Sequence, residues 1–326
     1  MSRDENVLGA SGERMLIEMI RGRADNAGVD FPGLYPGDDA CILGIGGETM
    51  ALTTDSIWLD THIPKGAEGW FAGWYLAAVN LSDLAAMAAK PLGLLFIIAA
   101  PKDAEVTWLG EFVDGLCACL EKYGAKLLGG DTKEGPGVFS ATAIGMCLQG
   151  RCTPRSGVRP GDNIGITGNV GSRAAMLRMG QWDESLHVTP RTKEALAASE
   201  AGVGAAVDTS DSLALALHCL SEASNVRIDI DRDRVPIDPI VAKAFGGQEI
   251  AWGLGGDFEL VVSFPPEKRE NVEKAFATNG AKFTTIGQAS EGKSVWVNDG
   301  KASIPLQKMG YEHFKSGQVN NGKEQA

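Results

Sequence analysis

The stretch Asn80-Leu-Ser-Asp-Leu-Ala-Ala-Met-Ala-Ala-Lys-Pro-Leu92 decides how the chain is read. It sets one carboxylate, Asp83, inside an otherwise apolar, alanine-rich segment. Trp70 to Asn80 reads as a helix leading into it, and helix formers follow Asp83. Lys90-Pro91 marks a stop, because the residue before proline avoids the α region. Leu92 to Ala100, closed by Pro101, has the length and bounds of a buried strand. A lone carboxylate in such a setting is costly unless something pairs with it. One account is local: Ser82 or Asp83 caps the N–H groups of a helix start. The other is a site, because acids beside Gly, Ser or Thr at the edge of apolar runs recur along the chain.

Outward from this stretch, strand and helix patterns alternate. Asp38-Asp39 opens a strand, Gly46-Gly47 reads as a hairpin turn, and a second strand ends in Thr53-Thr54-Asp55. Val106 to Tyr123 carries Leu109, Phe112, Val113, Leu116 and Leu120 on one helical face. Lys126 to Thr132 reads as a strand ending in Gly129-Gly130-Asp131, and Val138 to Leu148 as another after the Gly135-Pro136-Gly137 turn. The fold class is therefore α/β (α+β). Composition shifts at Thr153-Pro-Arg-Ser-Gly-Val-Arg-Pro-Gly-Asp162, which predicts two domains, 1–152 and 153–326. In the second, strands are expected from Ile164, Ala205, Val226 and Asp257, with helices over 192–201, 213–223 and 268–278. Residues 183–192 read as irregular, 12–20 as an amphipathic helix, and those after Phe314 as a polar, disordered tail.

The net charge of −12 argues against a general nucleic-acid or anionic-membrane surface. Six cysteines are scattered without a metal-binding quartet, which suits reduced thiols in a cytoplasmic protein. The charged start predicts no signal peptide, and no apolar run is long enough to span a bilayer.

The acids to explain are Asp38, Asp39, Asp55, Asp83, Asp131, Asp208 and Asp211. Taken singly, each is also readable as a turn or capping aspartate. Brought together unpaired, each pair at about 4 Å would repel by roughly 4 kcal/mol at an effective dielectric near 20. A cluster thus requires a cation, and all-oxygen donors select a hard one, with Mg²⁺ the best fit beside phosphates. The chain lacks a P-loop and a G-x-S-x-G elbow. Gly165-Ile-Thr-Gly168-Asn-Val-Gly171 has the wrong spacing for a dinucleotide turn, and Asp183 lies in the wrong context for its ribose acid.

Taken in order, the motifs resemble those of the thiamine-monophosphate kinase family, in the superfamily that includes aminoimidazole ribonucleotide synthetase. They are Gly37-Asp-Asp-Ala40, Thr53-Thr-Asp55 with His62, Asn80 to Met87, Gly129-Gly-Asp-Thr132 and Arg155-Ser-Gly157 with Gly161-Asp162. Asp208-Thr-Ser-Asp211, Gly255-Gly-Asp-Phe-Glu-Leu260 and Gly310-Tyr-Glu-His-Phe314 complete the series over nearly the whole chain. The resemblance implies a homodimer whose N-terminal domains pair into a barrel-like sheet. It implies transfer of the γ-phosphoryl group of ATP to thiamine monophosphate. It would give Mg²⁺ to Asp39, Thr53, Thr54, Asp55, Asp83, Asp131, Asp208 and Asp211, ATP to Gly130, Arg155 and Ser210, and thiamine monophosphate to His62 and Tyr311. A phosphate acceptor is already anionic, so no general base is expected, and metals with Arg155 would neutralise charge.

Two departures bear on the acceptor. Ser212 replaces the glycine of a family Ser-Asp-Gly, and Gly256 stands where the family carries a substrate-contacting glutamate. Glu259, placed in a strand, is a poor substitute. These departures leave two alternatives: a paralogue that activates another small substrate with ATP, or a catalytically silent nucleotide-binding protein.

Overall fold

The computed structural model describes residues 13, 15–20, 22–23, 37–247 and 249–311. The polar tail and the last three residues of the Gly310–Phe314 motif lie outside them. The first sheet holds β1 (Cys41–Ile45), β2 (Glu48–Trp58), β3 (Ala89–Ala100), β4 (Lys126–Glu134) and β5 (Val138–Cys147), in the order β1-β2-β5-β3-β4. Only β3 and β4 are parallel within it. The strict alternation along β5 sends Phe139, Ala141, Ala143 and Cys147 to the buried face.

Two helices cover that face, α1 (Gly69–Ala86) and α2 (Val106–Tyr123). They cross in backbone contact. A Cβ at Gly73 would lie 1.7 Å from the Phe112 carbonyl oxygen, and one at Gly115 would lie 1.8 Å from that of Trp70. Only glycine allows that approach. The apolar stripe of α2 buries Phe112, Leu116 and Leu120, each contributing about 2 kcal/mol. Leu109 and Val113 are half-buried at its margin.

The second sheet has seven strands in the order β12-β11-β8-β10-β6-β9-β7. They are β6 (Asn163–Thr167), β7 (Ala205–Asp208), β8 (Val226–Asp231), β9 (Leu260–Phe264), β10 (Phe283–Glu291), β11 (Ser294–Asn298) and β12 (Ser303–Pro305). The helices of this half are α3 (Ser172–Arg178), α4 (Trp182–Leu186), α5 (Thr192–Ala201), α6 (Leu213–Ser224), α7 (Pro239–Phe245) and α8 (Arg269–Thr278). Both sheets are open, so the architecture is a mixed α/β fold with two sheet-based halves. A shared core of Ala85, Ala86, Ala195, Leu260, Phe264 and Phe276 joins the end of α1 to the second half.

Several expected limits shift, each for a local reason. α1 runs unbroken through Ser82 and Asp83, so neither is an N-cap. The helix ends because Ala88 takes a left-handed φ of 49°, with its N–H donating to the Ala85 carbonyl. Lys90-Pro91 belongs to β3, and a bulge at Pro91/Gly93 accommodates the proline. β2 and β4 extend beyond Asp55 and Asp131, which places both acids within strands rather than at their ends. Residues 182–186 form a helix where irregular chain was expected. β9 begins only at Leu260, because Phe258 has φ 54° and breaks the extended run from Asp257. Residues 15–20 are helical, but Met15, Met19 and Ile20 of the expected apolar stripe are exposed.

Candidate active site

The carboxylates of Asp39, Asp83 and Asp208 converge, with candidate ligand oxygens all within 4.8 Å of one another. Three separate elements bring them there. Asp39 precedes β1, Asp83 lies in the last turn of α1, and Asp208 ends β7 in the other half of the chain. An acid near a helix C-terminus meets the negative end of the helix dipole, so Asp83 is placed against local preference. Burial, then Asp208, Asp39 and Asp55, push its carboxyl well above the usual carboxylate range. Burial and Asp39 also raise Asp208, although Ser210 and Ser82 hydrogen bonds oppose that shift.

Hydroxyl groups orient the acids. Thr53 Oγ1 donates to Asp83 Oδ2 at 2.6 Å, and Ser82 Oγ donates to Asp208 Oδ2 at 2.7 Å. Ser210 gives Asp208 Oδ1 both its N–H, at 3.1 Å, and its hydroxyl, at 2.6 Å. Asn80 is fully buried; its Oδ1 accepts from the Asp55 N–H at 3.2 Å, and its Nδ2 donates to the Leu76 carbonyl. Raised acids in an all-oxygen environment, with several lone pairs left over, suit a hard divalent cation. The residues present therefore fit Mg²⁺.

Arg155 brings a positive charge to this group. Its Nε and Nη2 grip Asp39 at 3.0 and 2.8 Å, and Nη1 donates to the Gly37 carbonyl at 2.6 Å. Its backbone N–H donates to Asp38, whose carboxyl burial nonetheless pushes up to about 6. Thus one expected nucleotide contact and one expected metal ligand are partners of each other.

Other expected residues lie outside this group of three carboxylates. Tyr311 is exposed, and its N–H donates to the Asp211 carbonyl at 3.1 Å, which lays the chain over the Ser210–Ser212 turn. The Nδ1 atom of His62 accepts from the Trp58 N–H at 3.1 Å, in the turn after β2. Thr54 and Asp131 are set apart. Strand alternation turns Thr54 to the face opposite Thr53 and Asp55, where its hydroxyl donates to the Ala141 carbonyl. Asp131 shares that opposite face, in register with Ile97, Ser140 and Ser56. Both Asp131 and Gly130 are exposed on the edge strand β4, and Lys133 Nζ lies 2.8 Å from Asp131. The Lys133 hydrogen bond holds the Asp131 carboxyl below its ordinary range.

Both departures have a structural basis. Ser212 sits in extended backbone, φ 167°, and needs no left-handed turn. Its Oγ caps α6 by accepting from the Leu215 N–H and donates to the Met309 carbonyl. Gly256 has φ 91°, and a Cβ there would lie 2.5 Å from Arg173 Nη1. Arg173 itself stacks on the Tyr75 ring at 4.7 Å and donates from Nε to the Ser185 carbonyl. Glu259 precedes β9 and is locked by Arg191 and Thr167, so it is a structural acid. Asp257 was not anticipated: it accepts from the Gly171 and Arg173 N–H groups, and burial pushes it up to about 7.

Comparison with known proteins places this geometry. The family model for the AIR synthase related protein N-terminal domain matches residues 37–147, and that for the C-terminal domain matches 159–299. The thiamine-monophosphate kinase of Salmonella typhimurium is 34% identical, over 94% of this chain and 99% of its own. That of Methanospirillum hungatei is 33% identical, over 85% and 92%. The crystal structure of thiamine-monophosphate kinase from Stenotrophomonas maltophilia has a TM-score of 0.73 at 31% identity, covering 87% of this chain and 95% of that one. AaThiL complexed with AMPPCP and TMP shares the fold, with a TM-score of 0.79 at 24% identity over 93% and 97%. On these matches and the ordered motifs, the chain belongs to the thiamine-monophosphate kinase family.

Proposed function

We infer that this protein transfers the γ-phosphoryl group of ATP to thiamine monophosphate, giving thiamine diphosphate. The observation that carries the reading is the convergence of Asp39, Asp83 and Asp208 in a chain 34% identical, nearly end to end, to a thiamine-monophosphate kinase. A related fold is known as a complex with AMPPCP and TMP, an ATP analogue and the acceptor itself.

In this reading Asp39, Asp83 and Asp208 hold Mg²⁺, with Thr53, Asp55 and Asp211 at the margin of the same centre. Bound Mg²⁺ would supply neutralisation of phosphate charge. Thr53, Ser82 and Ser210 orient the carboxylates. Arg155, already docked at Asp39, stands where a nucleotide phosphate can share its guanidinium. Ser210 and Gly130 would complete the ATP contacts, while His62 and Tyr311 would hold the acceptor. The acceptor phosphate is the nucleophile and needs no side-chain base.

Thr54 and Asp131 enter the same reading through the sheet face that carries them. Leu95 and Ile97 are exposed there, at 42% and 45%, beside β4, the edge strand of the sheet among the described residues. An open face with a bare edge strand supports a homodimer formed through this sheet. The two domains would meet at the connector after residue 152. A cytoplasmic location suits the reduced cysteines, and no described helix is long and apolar enough to cross a membrane.

One observation favours a second reading, a paralogue with another phosphorylated acceptor. Arg173 occupies the space into which a side chain at position 256 would project. The test of both is incubation with ATP, Mg²⁺ and thiamine monophosphate, followed by chromatography. Thiamine diphosphate is the expected product. ATP binding without that product would discard this acceptor.

A further inference from the structure

We propose that Cys147 and Cys152 form a dithiol that a low-molecular-weight disulfide oxidises to an intramolecular disulfide, an oxidation site on the connector between the two halves. The two Sγ atoms lie 2.8 Å apart, with the Cys152 thiol donating to Cys147. Neither Cys147 nor Cys152 is in a disulfide in this structure.

The chain is built to bring these two together. Cys147 ends β5, and the short turn that follows reverses direction through left-handed Gln149 (φ 56°) and Gly150 (φ 70°). Cys152 therefore returns beneath the strand it has just left. Both sides of the pair are anchored. Cys147 lies under the end of α1, its Sγ 3.7 Å from the Met87 carbonyl. Thr153, next to Cys152, donates from its hydroxyl to the Ala86 carbonyl at 2.7 Å. Little backbone movement separates the dithiol from the disulfide.

Exposure assigns the roles. Cys147 is completely buried and Cys152 is half-buried. Once Cys152 is deprotonated, Cys147 can donate to its thiolate, and this holds the Cys152 thiol below its ordinary range. Cys152 thiolate attacks one sulfur of the small disulfide, forming a mixed disulfide and expelling one thiolate. Cys147, losing its proton to solvent, then attacks the Cys152 sulfur. The protein disulfide forms and the second small thiolate leaves. The two protein thiols lose two protons and two electrons, and those electrons reduce the small disulfide to two thiols.

The sequence supplies a clean readout, because Arg151 lies between the two cysteines. Native protein is treated with oxidised glutathione, alkylated with N-ethylmaleimide and digested with trypsin without reduction. The expected result is the 134–151 peptide joined to the 152–155 peptide, separated by dithiothreitol. In Cys147→Ser protein, Cys152 should instead retain the mixed glutathione disulfide. Exposed Cys41 and Cys117 report that the oxidant has acted. If they carry glutathione while the 134–151 and 152–155 peptides are recovered apart, the proposal is overturned. Alkylation of Cys152 in the Cys147→Ser protein, with glutathione on Cys41, would overturn its role as the attacking thiol.

Discussion

Asp83 and Asp131 are the same residue in similar sequence surroundings, and the folded chain treats them in opposite ways. Asp83 is gathered with two other acids at the seam between the halves, where burial and like charge raise its carboxyl. Asp131 stands on an exposed edge strand with a lysine of its own, and its carboxyl is lowered. The charges that act on the first acid among the described residues are other acids, whereas the second has a lysine beside it. A carboxylate beside glycine or serine in the sequence therefore does not reveal its chemistry; the charges that other elements bring to it do.

Asp83→Asn tests the seam most directly. Removing a metal ligand should lower turnover by at least ~100-fold, since even outer partners of metal ligands are worth 10–100-fold. The metal-free protein should melt no earlier than wild type at pH 8, because a crowded negative charge is lost. Retained activity would remove the seam from the site. Asp131→Asn is the matching variant on the open face. It lies on the face proposed to pair in a homodimer, and the metal role that the family resemblance implies for it predicts a loss of roughly 10- to 100-fold in turnover. Near-normal turnover would leave Asp83, and not Asp131, as the acid that matters.

The comparison also explains what could be read from the chain alone. The α2 stripe was legible because Phe112, Leu116 and Leu120 repeat at helical spacing and are buried by it. Helices expected over 192–201 and 213–223 are also present, as Thr192–Ala201 and Leu213–Ser224. The stop at Lys90-Pro91 misled, because the bulge in β3 absorbs the proline and a left-handed Ala88 ends the helix first. At the site, acid identity was legible and grouping was not, since Asp39, Asp83 and Asp208 meet only through tertiary packing. Asn80 and Ser82 gave a signal in their own right, as polar residues in an apolar helix. The roles they take, on Asp55 and Asp208, depend on elements far away in sequence.

Titration sharpens the same contrast. An acid whose folded pKa lies above its unfolded value favours the folded state below the unfolded pKa. That contribution fades as pH rises through the folded value. Asp83 and Asp208 are raised in this sense, and neighbouring Asp38, at about 6 against an ordinary 3.8, loses its contribution across that interval. Metal-free protein should therefore lose this part of its stability between acidic and neutral pH. Mg²⁺ binding requires the deprotonated acids, so its stabilising effect should grow over the same range. At about 100 times the dissociation constant it is worth roughly 2.7 kcal/mol. Differential scanning fluorimetry with and without Mg²⁺, at about pH 5 and about pH 8, should show the larger rise at the higher pH. An equal rise at both would mean that the ion binds elsewhere.

The smallest effect concerns Ser212, one of the two departures from the family pattern. Its backbone is extended, so glycine would gain no conformational relief there. The serine hydroxyl instead serves two partners, accepting from the Leu215 N–H at 3.0 Å and donating to the Met309 carbonyl at 2.5 Å. Ser212→Gly removes both bonds. A lost cap replaced by glycine costs only a few tenths of a kcal/mol, and the bond to Met309 adds about 1 kcal/mol. The melting temperature should fall by a few degrees at most, while kcat stays close to wild type because the hydroxyl touches neither Asp208 nor Ser210. The Met309 bond also ties down the segment that carries Tyr311. If Tyr311 holds the acceptor, loosening it should raise KM for thiamine monophosphate and leave KM for ATP unchanged. A matching rise in both constants would place the effect on the Asp208–Asp211 turn itself, and remove Tyr311 from the acceptor side.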